Sequence, residues 1–600
     1  MFETVLIANR GEIAVRVMAA CRELGIDTVA IYSDADEDAG HVRYADEAYR
    51  VGPARAAESY LDQDAIIEIA QEANADAIHP GYGFLAENEE FARRVESTDG
   101  LTWIGPSSDA MTQLGSKTSA RETMAAAGVP IVPGTTEPVS DADAVASFGD
   151  EHGYPVAIKA DGGGGGRGMK VIHEPAEIPD KLAQAQREGE AYFDNADVYL
   201  ERYLEDPRHV EVQILADQHD TVVHLHERGC SLQRRHQKIV EEGPAPALSQ
   251  ELREEICAAA RQGAREAGYT NAGTVEFLVT DGEFYFLEVN TRIQVEHTVT
   301  EEITGIDVVA WQIRIAAGEE LDFEQEDVSV SGHAIEYRIN AEDASQSFEP
   351  ATGTITRYDP PGRIGVRLDD AIREGDDIGG DYDSMIGKLI VSAPTRDACL
   401  ARSRRALEEF ELGGVQTTIP FHQFVLETDA FASGEYTTNY LDHELDTDAL
   451  ADAIEQYDAE TQDGDGESVR EVTVVVSGKT FTVQLSGDDV DGDLPPGEHP
   501  LDSTAETQSA STSSTSQSGT GEVDPDDDSV VTTGMDGTIL SIAVAEGDVI
   551  ESGDELCVLE SMKMENAITA STGGTVEEVL VENGQSVVSG DQLVRLEPAS

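Results

Sequence analysis

Four groups of residues in this 600-residue chain combine side-chain types and spacings that could do chemistry. The first is Glu276, Glu288, Asn290, Arg292 and Glu296. Thr274 to Thr280 and Phe284 to Val289 read as a hairpin around Asp281-Gly282. A two-residue loop would set Glu276 opposite Leu287. A three-residue connection, Asp281 to Glu283, sets Glu276 opposite Glu288, and that register is expected. The period of two then places Glu288, Asn290 and Arg292 on one face, with Leu287, Val289 and Ile293 on the other. Carboxylates from paired strands, with an amide oxygen, suit a hard cation such as Mg²⁺ bridging nucleotide phosphates. A merely solvated face does not explain why the run continues into a further acid, Glu296.

The second group, Arg234, Arg235, His236 and Lys238, is the densest cationic stretch in an acidic chain. It reads as a site for phosphate or bicarbonate through charge-assisted hydrogen bonds; Cys230 beside it reads as a packed thiol. The third is Gly162 to Gly166 with Arg167 and Gly168, between a strand ending at Lys159 and another opening at Met169. Its backbone N–H groups could lie over phosphates with Lys159 as counter-charge. No Gly-Lys-Ser/Thr opens a helix there, so this is not a Walker loop. The fourth is Lys563, flanked by Met562 and Met564. It sits between two copies of one β pattern, GTILSIAVAEGDVIESGDELCVLE from Gly537 and GTVEEVLVENGQSVVSGDQLVRLE from Gly574, a constant offset of 37 residues. A solvated lysine is the bland reading. Against it, the chain has only eight lysines (Lys117, Lys159, Lys170, Lys181, Lys238, Lys388, Lys479 and Lys563).

The elements that must hold these groups are legible in part. Thr4 to Ala8, Glu12 to Leu24 and Asp27 to Tyr32 form a βαβ opening. With Gly11 alone after the first strand, the dinucleotide fingerprint is missing. Residues 115–135 read as a helix stopped at Gly128 with Pro130 beyond, and Asp197 to Leu200 as a strand. Glu471 to Leu485 alternates as a hairpin around Ser477-Gly478, and two strands alone are marginal in water. It is either a remnant of a partner-docking domain or a strand pair packed on the catalytic part. His499 to Ser529 reads as a disordered linker, able to span roughly 30 Å on average and ~100 Å extended.

Asp and Glu number 119 against 40 Lys and Arg, for a net charge of -79 and a pI near 4.2. This argues against a nucleic-acid face. Such self-repulsion is screened within about 3 Å at 1 M salt, so a cytoplasmic protein of a salt-loaded, halophilic cell is expected. Five scattered cysteines fit a reducing compartment, and neither a membrane span nor a basic leader is expected.

Met562-Lys563-Met564 inside a two-fold β repeat resembles the biotinyl carrier domain. ANRGEIAVR, HPGYGFLAEN, ERGCSLQRRHQKIVEEGPAP, EVNTRIQVEH and YDSMIGKLI resemble biotin carboxylase, an ATP-grasp ligase. Departures are small: Ser561 where alanine is usual, Arg202 where lysine is frequent, and Gly229 where aspartate is usual. The resemblance implies an α/β and α+β multidomain fold. A Rossmann-like N-terminal domain (1–115) precedes an ATP-grasp domain (116–330) and a biotin carboxylase C-terminal domain (331–446). An acidic connector (447–498), the linker (499–529) and an all-β flattened-barrel biotinyl domain (530–598) follow. It further implies covalent biotin on Lys563, with ATP and bicarbonate as substrates. Arg292, Lys238 and the Val295 backbone would hold bicarbonate, Glu296 would act as base, and Arg338 would stabilise the ureido oxyanion. Mg²⁺ or Mn²⁺ would sit on Glu276, Glu288 and Asn290. ATP would meet Lys117, Lys159, Gly165, Gly166, the hinge Glu201-Arg202-Tyr203-Leu204, His209, Gln233 and His236. The resemblance also implies a separate carboxyltransferase (beta) subunit for acetyl-CoA or propionyl-CoA, together with a biotin protein ligase and self-association. A split pyruvate-type carboxylase and an ATP-grasp carboxylate–amine ligase are the alternatives.

Overall fold

A computed structural model of the chain describes residues 1–135, 138–139, 141–160, 169–193, 198–234, 237–464, 470–476, 479–485, 530–533, 537–545, 547, 549–550, 555–561, 564–570, 572–581, 585–587 and 592–598. It divides into two compact units, Met1–Leu450 and Ala451–Ser600.

The first unit opens on a parallel five-stranded sheet in the order Glu47–Gly52, Asp27–Ser33, Thr4–Ile7, Ala77–His79 and Thr102–Trp103. The helix Gly11–Glu23 buries Ile13, Ala14, Val17, Met18 and Cys21, the stripe a period of 3.6 requires. Beyond the first strand, the Asn9 amide donates to the carbonyls of Pro80 and Tyr82 at 2.7 Å each. That contact joins the two most informative N-terminal motifs. The expected helix of residues 115–135 runs Lys117–Ala126, and Gly128 leaves it in the left-handed region at φ 78°.

A three-stranded sheet places Val156–Ala160 between Met169–Ile172 and Val198–Arg202. The active half is built on an antiparallel eight-stranded sheet. Its order is Glu283–Asn290, Asn271–Thr280, Arg208–Ala216, Val222–Arg234, Gln237–Gly243, His333–Asn340, Met385–Ala393 and Val366–Asp370. Residues far apart in sequence therefore share one surface, and the sheet runs unbroken through strands on both sides of residue 330.

In the second unit, Arg470–Val476 pairs antiparallel with Lys479–Leu485, Val476 opposite Lys479; Ser477 and Gly478, expected to turn the hairpin, lie outside the described residues. From Val530 on, the described residues form two four-stranded sheets. The offset of the sequence repeat carries Gly537–Ile542 onto Gly574–Val579, Val549–Ile550 onto Ser586–Val587 and Glu555–Ser561 onto Gln592–Pro598. It exchanges the two sheets strand for strand. The buried side chains obey it too: Ile539 matches Val576, Leu556 matches Leu593, and Leu559 matches Leu596. Glu555–Ser561 and Met564–Thr569 pair as a hairpin with Ser561 opposite Met564. The residues joining them, Met562 and Lys563, lie outside the described residues. Among the described residues no helix is long and apolar enough to cross a membrane.

Candidate active site

Glu276 does lie opposite Glu288, but by another route than the three-residue loop expected from the sequence. The turn is the two-residue one, with Thr280 paired to Glu283. A β-bulge at Leu287 then inserts one residue between the pairs Phe277–Phe286 and Glu276–Glu288. The bulge turns Leu287 outward, 37% exposed, and brings Glu288 onto the face of Glu276. Asn290 completes the set, its amide donating to Glu276 at 2.7 Å. Burial and the charge of Glu276 push the Glu288 carboxyl up. Against its own burial penalty, Glu276 is held well below the usual carboxylate range by Lys238 and by His209, 2.8 Å away. Two acids facing each other with an amide oxygen beside them fit a divalent cation, whose charge would let both stay ionised.

Lys238, on the strand Gln237–Gly243, is the hub of the site. Its ammonium contacts Glu276 at 2.9 Å, Glu296 at 2.7 Å and, more closely still, Glu211. Against burial these three carboxylates raise Lys238 well above the normal lysine range. Arg338 approaches Glu296 from the far side at 3.0 Å and also pairs with Glu241. Clamped between two cations, Glu296 sits well below the usual range in spite of its burial. Burial, with Arg338 opposing it, pushes Glu241 up to about 7. Arg292 contacts Glu87 at 3.2 Å and the Asn290 side-chain oxygen at 3.2 Å.

Beneath this layer lies Arg228, fully buried. Its guanidinium donates to Glu211 at 2.8 Å, Gln213 at 2.9 Å, Thr300 at 2.8 Å and Gln294 at 3.0 Å. Gln294 in turn donates to Glu276 at 2.8 Å. Arg228, Glu211, Glu241 and Gln294 do not stand out in the sequence as site residues, although Arg228, Glu241 and Gln294 lie inside two of its recognisable motifs. The available signal was position: Arg228 lies in the densest cationic motif of an acidic chain, two residues before Cys230.

The residues expected around ATP fall into two sets. Lys159 pairs with Glu201, which also meets Arg121 at 3.2 Å. Arg202 donates to the Tyr285 hydroxyl at 2.6 Å and pairs with Glu283 at 3.2 Å, so the hinge cation is fixed to the hairpin that carries the acids. Glu201 and Arg202 end the strand Val198–Arg202 rather than following it. The Tyr203 N–H donates to the Pro155 carbonyl at 3.0 Å, and Leu204 packs with Val132 and Tyr285. His209 and Gln233 are buried on the central sheet, and Lys117 opens its helix with its charge acting on Glu288. Gly165, Gly166 and His236 lie outside the described residues.

A nucleotide-using ligase of the ATP-grasp class, with an appended carrier domain, is what this fold and site define. Comparison with known families agrees segment by segment. Residues 1–111 match the biotin carboxylase N-terminal domain, and 116–324 the carbamoyl-phosphate synthase L chain ATP-binding domain. Residues 336–443 match the biotin carboxylase C-terminal domain, and 529–596 the biotin-requiring enzyme domain. The chain is 52% identical over 444 residues to biotin carboxylase 1 of Bacillus subtilis, covering 74% of this chain and 98% of that one. It is 51% identical over 442 residues to a pyruvate carboxylase subunit of Methanothermobacter thermautotrophicus, covering 74% and 90%. It is 46% identical over 568 residues to the biotin-dependent acyl-coenzyme A carboxylase alpha3 subunit of Mycobacterium leprae, covering 94% and 93%. Among solved structures, the biotin carboxylase domain dimer of the Hydrogenobacter thermophilus 2-oxoglutarate carboxylase, in complex with MgADP, ADP and bicarbonate, superposes with a TM-score of 0.66. It is 48% identical and covers 74% of this chain and 97% of that one. The chain belongs to the biotin carboxylase family and joins that ATP-grasp ligase to a biotinyl domain on one polypeptide.

Proposed function

We propose that this chain is the biotin-bearing alpha subunit of an acyl-CoA carboxylase. In this reading it carboxylates the biotin on its own Lys563, or on that of a second copy, and hands the carboxyl group to a separate carboxyltransferase acting on acetyl-CoA or propionyl-CoA. The observation that carries this reading is the match to the acyl-coenzyme A carboxylase alpha3 subunit. It extends over 94% of the chain and so takes in the carrier as well as the ligase. The pyruvate-type reading rests on a relative aligned over 74% of the chain. Soluble operation in a salt-loaded cytoplasm, modification by a biotin protein ligase and self-association complete the proposal, with domain limits at 115, 330, 446 and 530.

The site roles belong to the same proposal. Glu276, Glu288 and Asn290 would hold a divalent cation, which would supply charge neutralisation to the nucleotide phosphates. Lys117, Lys159, the 201–204 hinge, His209 and Gln233 contact ATP, joined by Gly165, Gly166 and His236. A base clamped like Glu296 is too weak an acceptor to be useful at rest. Bicarbonate entering between Lys238, Arg292 and the Val295 backbone takes over the Lys238 ammonium. Losing that cation raises the proton affinity of Glu296, so the base is activated by the substrate it deprotonates. Once Glu296 has taken the bicarbonate proton and is neutral, Arg338 is released from it and is available to stabilise negative charge as it develops on the acceptor. Biotin, when bound, supplies the nitrogen that takes up the carboxyl group. Arg292→Ala should abolish bicarbonate-dependent ATP cleavage and leave Lys563 biotinylated. The acceptor is tested by assaying the native complex with acetyl-CoA, propionyl-CoA and pyruvate. Turnover of pyruvate alone would overturn the acyl-CoA reading.

A further inference from the structure

Lys388 has no part in the proposed ATP or bicarbonate sites or in the carrier, yet it is fully buried. In a chain with eight lysines that is a costly place for one. Its ammonium donates to the Val295 carbonyl at 3.0 Å and pairs with Glu12 at 3.1 Å. Glu12 also accepts a hydrogen bond from the Tyr82 hydroxyl, and the Lys388 ammonium lies 5.7 Å from the Tyr82 ring centre. The Val295 carbonyl belongs to the peptide that leads into Glu296. Glu296 itself starts the helix His297–Thr304, with φ -81° and ψ 13°. The flanking peptide planes set the direction in which its Cα–Cβ bond leaves the chain, and Lys238 and Arg338 hold the carboxylate at its far end.

The neighbouring strand supplies the other hand of the grip. Arg338 and Lys388 are cross-strand partners, and Arg338 holds the Glu296 carboxylate while Lys388 holds the carbonyl one residue earlier. Lys388 thus ties the strand Met385–Ala393 to the catalytic turn and, through Glu12 and Tyr82, to the N-terminal sheet.

We propose that Lys388 is a positioning residue for the reaction: by holding the Val295–Glu296 peptide plane against Glu12 and Tyr82, it aims the Glu296 carboxylate at bicarbonate. The proposal rests on Glu296 being the base. The test uses the biotinylated full-length chain in molar KCl, with ATP cleavage measured against bicarbonate and against ATP. Lys388→Met should lower kcat/KM for bicarbonate by about a hundredfold, the scale of a small misplacement of a reacting group. The KM for ATP should stay within about twofold, because the nucleotide contacts are untouched. Lys388→Met also leaves Glu12 buried and uncompensated, so the double variant Lys388→Met/Glu12→Gln separates fold from function. Persistence of the bicarbonate defect in a double variant that melts like the parent supports positioning. Recovery of activity there, or equal loss toward both substrates in the single variant, overturns it. An active Glu296→Gln protein overturns the base assignment and this proposal with it. An inactive Glu296→Gln beside a normal Lys388→Met overturns this proposal alone.

Discussion

Replacing Arg228 by methionine should unfold the catalytic unit early, and by an amount the contacts set. Both Arg228 and Glu211 are fully buried. Removing one partner of such a pair costs about 3–5 kcal/mol, because the other charge and its acceptors are left without a donor. Glu211 keeps Lys238, so the lower end applies, about 3 kcal/mol. Most of that cost comes from the orphaned oxygens of Gln213, Thr300 and Gln294. For a cooperative unit the size of the first compact unit, Met1–Leu450, this lowers the thermal midpoint by roughly 3 °C. Because the pair is dry, the shift should be the same throughout the molar salt range, where exposed pairs are screened. The control is Arg50→Ala, whose partner Asp34 and own side chain are 54% and 53% exposed. It should cost no more than about 0.5 kcal/mol. Calorimetry in a series of KCl concentrations reads both. An Arg228→Met shift no larger than that of Arg50→Ala, or one that fades as salt rises, would refute the reasoning.

Further outcomes follow from the same contacts. Chelation should stop ATP cleavage while leaving the melting profile in place, and Mg²⁺ or Mn²⁺ should restore it. Glu276→Gln should raise the metal concentration needed for half activity by at least about tenfold, since one of its two charged donors is lost. Glu241 supplies a pH test. Burial moves it from 4.5 to about 7, so the folded state binds the proton more tightly than the unfolded state. Its contribution therefore costs stability progressively as pH rises from about 4.5 to 7 and is constant above that. Urea denaturation of Glu241→Gln should show a flatter stability profile across this window than the parent; an unchanged slope contradicts the assignment.

What the sequence disclosed and what it withheld divide along physical lines. The carrier repeat is written in glycines and alternating apolar residues, both local signals. The strand limits of one half therefore predict those of the other through a single offset. The Glu276–Glu288 pairing is expected from a three-residue loop, whereas the chain uses a two-residue loop and a bulge at Leu287. Alternation cannot reveal a bulge, because it changes only the phase after the event. The supporting layer was beyond reach for a different reason. Arg228 meets Gln294 and Thr300, Glu241 meets Arg338, and Lys388 meets Glu12. These partners lie tens to hundreds of residues apart and meet only in the tertiary structure: the eight-stranded sheet collects strands between Arg208 and Ala393, and Glu12, Gln294 and Thr300 reach it from helices and a loop outside it. Several supporting residues lie inside the recognisable motifs, among them Arg228, Glu241, Gln294 and Lys388; what the sequence does not carry is which of them meet, since topology sets that.

The most direct test of the central claim is to incubate the biotinylated chain with ATP, Mg²⁺ and labelled bicarbonate and to measure label retained on the protein. ATP-dependent labelling that maps to the peptide containing Lys563, and is absent from both Lys563→Arg and Arg292→Ala, is the predicted result. Label that persists in Lys563→Arg, or a chain from its native host that carries no biotin on Lys563, would contradict it.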